Sequence, residues 1–161
     1  MKKAIEILQK IQVAAGGIFL SVFLVAVLIQ IFSRYLGVAV TWTEDITSYA
    51  FIWAVFMGAS AMVFERRHFA FTSLGDKLNS PLKKLILSLV ISSIILIFSF
   101  CMVYYGIRIA RQFWNYHWIN IVALKRGPVW LCLPIAGGAS VIYCCYNIFK
   151  DIEAYKKGNN K

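Results

Sequence analysis

Four apolar runs, each long enough to cross a lipid bilayer, limit what this chain can fold into. They cover residues 13–32, 46–64, 85–103 and 129–149, and none contains Asp, Glu, Lys, Arg or His. About 20 helical residues span the hydrocarbon core of a bilayer, which is roughly 30 Å thick. A charged side chain at its centre costs about 3 kcal/mol on insertion. The runs therefore predict an all-α membrane protein with four transmembrane helices, and we interpret residues 1–161 as one integral membrane domain.

The positions of the basic residues predict the orientation of the chain. Lys and Arg number 17 against 7 Asp and Glu, which gives a net charge of +10. With both termini inside, twelve basic residues lie on the cytoplasmic side and five outside, as the positive-inside rule favours. The third loop, with four of those five, fits this rule least well. Because the basic residues flank the spans and no nucleic-acid-binding motif accompanies them, they indicate contact with lipid headgroups and not with nucleic acid.

The segments around the spans carry helical patterns of their own. The first fifteen residues have one apolar face, which fits an interfacial helix or a plain extension of the first span equally well. Phe71, Leu74 and Leu78 predict a short interfacial helix in the second loop. The third span is expected to continue beyond residue 103 toward Trp114. Pro134 is expected to kink the fourth span, because it cannot donate a hydrogen bond to residue 130.

The absence of ionisable groups from the spans argues against transport by this chain alone, because ion and proton pathways usually need such groups. Four cysteines lie in the spans and are interpreted as small buried thiols. Glu65 and His68 lack a third metal ligand, and His117 is expected to be an interfacial contact. No catalytic set is found, so the chain is not expected to be an enzyme. Gln30 is the most polar side chain deep in a run and lies near the expected outer end of the first span. The other polar residues of the spans are expected to be satisfied locally; they are Ser92, Ser93, Asn147 and scattered serines.

Two further patterns indicate where helices or partners meet. Ala50, Ala54 and Gly58 share one face of the second span, and such small residues let helices approach closely. Internal packing is the favoured interpretation, with partner contact as the alternative. The first loop brings an arginine, two aromatic residues and two acids together: Arg34, Tyr35, Trp42, Glu44 and Asp45. Thr41 and Glu44 predict a capping box. Whether Arg34 pairs with Glu44 or these residues contact a partner remains open.

These motifs resemble the small membrane (Q) subunit of tripartite ATP-independent periplasmic (TRAP) transporters. Arg34-Tyr35 and Trp42-Thr43-Glu44-Asp45 are the more specific part of the resemblance. Thr72 departs from it, since an acidic residue is frequent at this place in the family. The remaining matches are Tyr49, Phe51-Ile52-Trp53, Gly58-Ala59, His68, Pro128, Trp130, Pro134 and Gly137.

The resemblance implies a role in a complex of the bacterial inner membrane. A large multispanning subunit would carry the substrate and sodium sites and move as an elevator, and this chain would scaffold its static part. A soluble periplasmic protein would deliver an organic acid of the dicarboxylate or sialic acid type, without ATP. The chain itself would need no cofactor, although a bound phospholipid fits its surroundings. The residues expected to contact partners are Arg34, Tyr35, Trp42, Glu44, Asp45, Trp53, Gly58, His68, Trp114 and Trp118.

Two other functions remain as alternatives. The first is a small autonomous transporter or channel that works as a homo-oligomer, which would transport solute in liposomes without other chains. The second is a membrane enzyme or enzyme accessory, which would require clustered polar residues in the spans.

Overall fold

The computed structural model describes residues 2–65 and 81–159, and these residues form five helices. They are α1 (Lys2–Tyr35), α2 (Trp42–Glu65), α3 (Pro81–Gln112), α4 (Gly127–Trp130) and α5 (Cys132–Asn159). Four stretches are long and apolar enough to cross a membrane: α1, α2, most of α3, and α4 with α5. The predicted all-α fold with four spans is thereby confirmed. The cytoplasmic position of both termini stays a prediction.

The first span begins earlier than its apolar run, because α1 is one continuous helix from Lys2 onward. Ile5 and Leu8, from the amphipathic segment, pack against the buried core. The segment is therefore an extension of the first span in this structure. The helix expected around Phe71 lies outside the described residues.

The four long helices form an open array with α2 and α5 in its centre. α1 packs along α2 and touches α5, whereas α3 packs along α5. No Cα atom of α1 or α2 lies within 8 Å of α3. Only Gln12, Gly16 and Ala26 of α1 are buried. Both flanking helices consequently present long apolar faces outward, which suits contact with lipid or with another membrane protein.

Glycine allows the close contact between α3 and α5. A Cβ atom at Gly106 would lie 2.7 Å from the Cβ of Leu133 and 2.9 Å from the Cδ of Pro134. One at Gly137 would lie 3.0 Å from the carbonyl oxygen of Ser99. The helix is interrupted at residue 131, between α4 and α5, where Pro134 leaves a carbonyl without its helical donor. The backbone of Leu131 stays helical (φ −64°, ψ −19°), so the fourth span loses helical hydrogen bonding close to the expected kink, and the kink itself stays a prediction.

The first and last described residues, Lys2 and Asn159, lie at one end of the array, which we call the terminal end. The opposite end carries residues 36–41, the first loop, and residues 113–126, the third loop, and we call it the loop end. The third span runs to Gln112, close to the expected limit.

Candidate functional site

Asp45 joins the first turn of α2 to the third loop. Its carboxylate is only 5% exposed. Oδ2 accepts hydrogen bonds from the backbone N–H groups of Asn120 (2.9 Å) and Ile121 (3.0 Å), and Oδ1 accepts one from Nδ2 of Asn120 (3.2 Å). The positive end of the α2 dipole favours a carboxylate in this turn. Asp45 therefore positions a loop that lies 75 residues away in the sequence.

The third loop folds back on itself beside this contact. The N–H of Trp118 donates to the carbonyl oxygen of Leu124 at 3.1 Å, and the N–H of Arg126 donates to that of Tyr116 at 2.8 Å. The guanidinium carbon of Arg126 lies 5.1 Å from the centre of a Trp118 ring, a cation–π distance. These contacts give the loop a defined shape, although it has no helix of its own.

The third loop exposes several large apolar and aromatic side chains. Ile119 is 80% exposed and Val122 is 70% exposed. Trp114 is also exposed, and its backbone packs closely on Gly127, where a Cβ atom would lie 2.7 Å from the Cα of Trp114. Trp118, in contrast, is partly covered by Arg126. Of the two third-loop tryptophans expected to contact a partner, Trp114 is thus the more accessible.

The first loop encloses a cleft with two opposite charges at its edge. Arg34 and Glu44 both line a cavity of about 270 Å³, and neither side chain forms a hydrogen bond or ion pair with a described residue. Arg34 and Glu44 do not pair with each other, so the ion pair that the sequence left open as an alternative is not formed. The capping box is also absent, because the N–H of Glu44 donates to the carbonyl oxygen of Thr41 and not to its hydroxyl. Tyr35 and Trp42 are exposed beside the cleft.

A shallow groove runs between α1 and α2 on the membrane-facing side. It has a volume of about 360 Å³ and owes its depth to Gly17 and Gly58, where an added Cβ atom would meet nothing within 4 Å. Ala50 and Ala54 are buried, as internal packing predicts, whereas Gly58 is only partly buried and lines the groove together with Ala54. Trp53 lies elsewhere in the same helix pair, with its ring 5.2 Å from that of Phe19.

A buried polar network connects α1, α2 and α5 inside the membrane region. The hydroxyl of Tyr143 donates to Oε1 of Gln12 at 2.6 Å, and Nε2 of Gln12 donates to Oγ of Ser60 at 3.2 Å. Ser60 donates to the carbonyl oxygen of Ala136 at 3.0 Å and accepts from Oγ of Ser140 at 3.1 Å. All of these side chains are neutral, so the network stabilises helix packing without supplying a charge.

This network corrects the expectation that polar side chains in the spans are satisfied locally. Ser93 and Ser99 do bond to carbonyl groups four residues earlier in their own helix. Asn147, however, donates from α5 to the carbonyl oxygen of Val63 in α2 at 3.0 Å. Ser60 likewise bonds across helices. Sequence periodicity does not reveal such pairs, because it shows the face of a helix and not the residue opposite.

Replacing Tyr143 with phenylalanine tests the strength of this network. The substitution removes one hydroxyl and leaves Oε1 of Gln12 buried without that donor. Interhelical hydrogen bonds in membranes contribute about 1 kcal/mol, so the free energy of unfolding is expected to fall by this amount. Unfolding in mixed detergent micelles with increasing dodecyl sulfate measures it. Tyr104→Phe, at an exposed tyrosine of α3, is the control, and equal losses for both variants would contradict the role of the network.

Charged and metal-binding groups are scarce within the array. Among the described residues, Asp45 alone is both charged and buried, and no three His, Cys, Asp or Glu side chains cluster. Cys132 and Cys144 are buried as expected, but Cys101 and Cys145 face outward. His117 is exposed in the third loop. His68 lies outside the described residues, so its expected partner contact stays a prediction.

The fold and its surfaces define a multi-pass membrane protein with a defined loop end and outward apolar faces. A family profile for tripartite ATP-independent periplasmic transporters, DctQ component, matches residues 23–154. The chain therefore belongs to the DctQ family, the small membrane component of TRAP transporters, and the resemblance seen in its motifs is confirmed. No curated protein matched the chain. The family consists of transporter components, so the chain works with partner subunits.

Proposed function

We propose that this chain scaffolds the large multispanning subunit of a TRAP transporter in the bacterial inner membrane. The large subunit would bind sodium and substrate, and a soluble periplasmic protein would deliver an organic acid of the dicarboxylate or sialic acid type. Both termini would be cytoplasmic, which places the loop end in the periplasm. Sodium sites belong to the large subunit in this proposal, and this chain has no catalytic role.

The scaffold proposal rests on one observation: the polar side chains of the buried network form hydrogen bonds that hold helices together. Gln12, Ser60 and Tyr143 bond to one another between helices, and the network contains no charged side chain. A coupled transporter needs groups that bind an ion and release it again. Polar groups that already hold three helices together are poorly suited to that task. They are well suited to keeping a support rigid while a partner moves.

The outward faces of the helix array would provide surfaces on which another subunit can bind. The groove at Gly58 allows a helix of another subunit to approach α1 and α2 closely, as small residues do in membranes. Trp114 and Tyr35 would contact partners at the loop end, where a periplasmic protein arrives. Asp45 would act indirectly, by holding the third loop in place. In the same proposal, Trp42, Trp53 and Trp118 would also contact partner subunits.

Reconstitution with and without the partners tests this function. Liposomes containing this chain alone are expected to show no uptake of organic acid under an inward sodium gradient. Liposomes with both membrane subunits and the loaded binding protein are expected to take it up. Liposomes with the large subunit alone are the matched control and should show little or no uptake. Sodium-driven or passive solute flux through this chain alone would contradict the proposal and favour the autonomous transporter.

A further inference from the structure

We propose that the cleft of the first loop binds the headgroup of a zwitterionic phospholipid with a primary ammonium group, such as phosphatidylethanolamine. The phosphate would bind Arg34 and the ammonium group would bind Glu44. This proposal does not depend on the transporter assignment. It requires only that the helices cross a bilayer.

The charges of the cleft carry the first part of the argument. Arg34 and Glu44 line the same cavity of about 270 Å³, both are exposed, and neither side chain forms a hydrogen bond or ion pair with a described residue. They remain apart although they have opposite charges. A headgroup whose phosphate and ammonium are joined by a two-carbon link can bridge such a pair. It would place each of its charges against the opposite charge of the protein.

The second part of the argument for headgroup binding is the depth at which the cleft would lie in the membrane. Arg34 follows directly after the first apolar run, where the hydrocarbon core gives way to headgroups. Gln30 and Arg34 also line a second, larger cavity of about 560 Å³ with Ile31 and Tyr35. Ile31 and Phe32 are exposed just below, on the side where acyl chains would run. The two cavities thus combine polar groups for a headgroup with an apolar surface for its chains.

The choice of headgroup follows from Glu44. Anionic lipids such as phosphatidylglycerol would bind Arg34 through the phosphate but would offer no cation to this carboxylate. A choline headgroup carries a positive charge but no N–H donor. An ammonium group donates charge-assisted hydrogen bonds to a carboxylate, which are stronger than neutral ones. The cleft is therefore expected to prefer phosphatidylethanolamine to both phosphatidylglycerol and phosphatidylcholine.

Native mass spectrometry of the delipidated full chain tests this preference. The protein in mild detergent is mixed with equal amounts of dioleoyl phosphatidylethanolamine, phosphatidylglycerol and phosphatidylcholine, and the bound lipids are counted. Contacts of exposed charges change binding by about threefold, so a preference of this order for phosphatidylethanolamine is expected. Glu44→Gln should abolish the preference, and Arg34→Gln should lower binding of all three lipids.

The controls separate this site from general attraction of lipid to charge. Arg111→Gln removes an exposed cation at the end of α3 and should leave the preference unchanged. Glu44→Asp keeps the carboxylate and should retain it in part. An unchanged preference in Glu44→Gln, or an equal loss in Arg111→Gln, would overturn the proposal. Displacement of the lipid by soluble O-phosphoethanolamine at low concentration would also overturn it, because the cleft would then select a free solute.

Discussion

Tryptic cleavage after Lys125 and Arg126 is expected to become much faster when Asp45 is replaced by alanine. The carboxylate of Asp45 holds the third loop through the two backbone N–H groups of Asn120 and Ile121 and through the Asn120 side chain. Removing it leaves these donors without a protein partner. Hydrogen bonds to a charged group contribute about 2 kcal/mol each, and water recovers part of this loss because Asn120 is exposed. A net loss of about 2 kcal/mol in the stability of the loop contact is expected.

The adjacent acidic residue supplies the control for this experiment. Glu44 is exposed and its side chain has no hydrogen-bond or ion-pair partner among the described residues, so Glu44→Ala should leave the cleavage rate close to that of the unmodified chain. Cleavage is followed by mass spectrometry in detergent, with circular dichroism to show that the helices remain. Equal cleavage of both variants would show that Asp45 does not position the loop. In the assembled transporter, the Asp45 variant is also expected to lower uptake, since a partner would meet a displaced loop.

The second large effect is expected at the contact between α3 and α5, where Gly106→Ala should destabilise the protein. The new methyl group would lie 2.7 Å from the Cβ of Leu133 and close to the ring and nitrogen of Pro134. The proline ring cannot rotate away, so the helices must separate. Overpacking of this kind costs about 1–3 kcal/mol. Detergent unfolding with increasing dodecyl sulfate measures the loss.

Gly138→Ala is the matched control, because it adds the same methyl group to a helical glycine of the neighbouring helix. A Cβ atom there meets nothing within 4 Å. Alanine has the higher intrinsic helix propensity, so this variant should be neutral or slightly more stable. If both variants unfold alike, the effect comes from helix propensity and the close contact at Gly106 is not important.

Prediction from sequence succeeded where one local contribution to the free energy decides the structure. Burying a charge in hydrocarbon is costly, so the four uncharged runs located the spans without knowledge of their packing. Pro134 indicated the interruption of the fourth span because a missing N–H acts locally. Motifs in the first loop identified the family. Each of these signals lies within a short stretch of sequence.

The candidate site was predicted less well because its contacts are long-range. Glu44 and Asp45 are neighbours in the sequence and look equivalent, yet one is exposed and the other is buried beneath the third loop. Gln12 stands just before the first apolar run and carries no motif, yet it is 3% exposed and bonds to Tyr143 of α5. Asn147 was expected to be satisfied within its own helix. Which residue lies opposite depends on helix order and rotation, and these are properties of the whole array.

The sequence alone determined the class of this protein, the number of its membrane-crossing helices and its family, because hydropathy and local motifs depend only on residues that are close together in the sequence. Only the tertiary structure decided the order of the helices and the partners of Gln12 and Asp45. The tertiary structure also places Arg34 and Glu44 at one cleft without a bond between their side chains. The reason is that side chains far apart in the chain meet only after the helices pack, and the geometry of packing fixes which donors find acceptors.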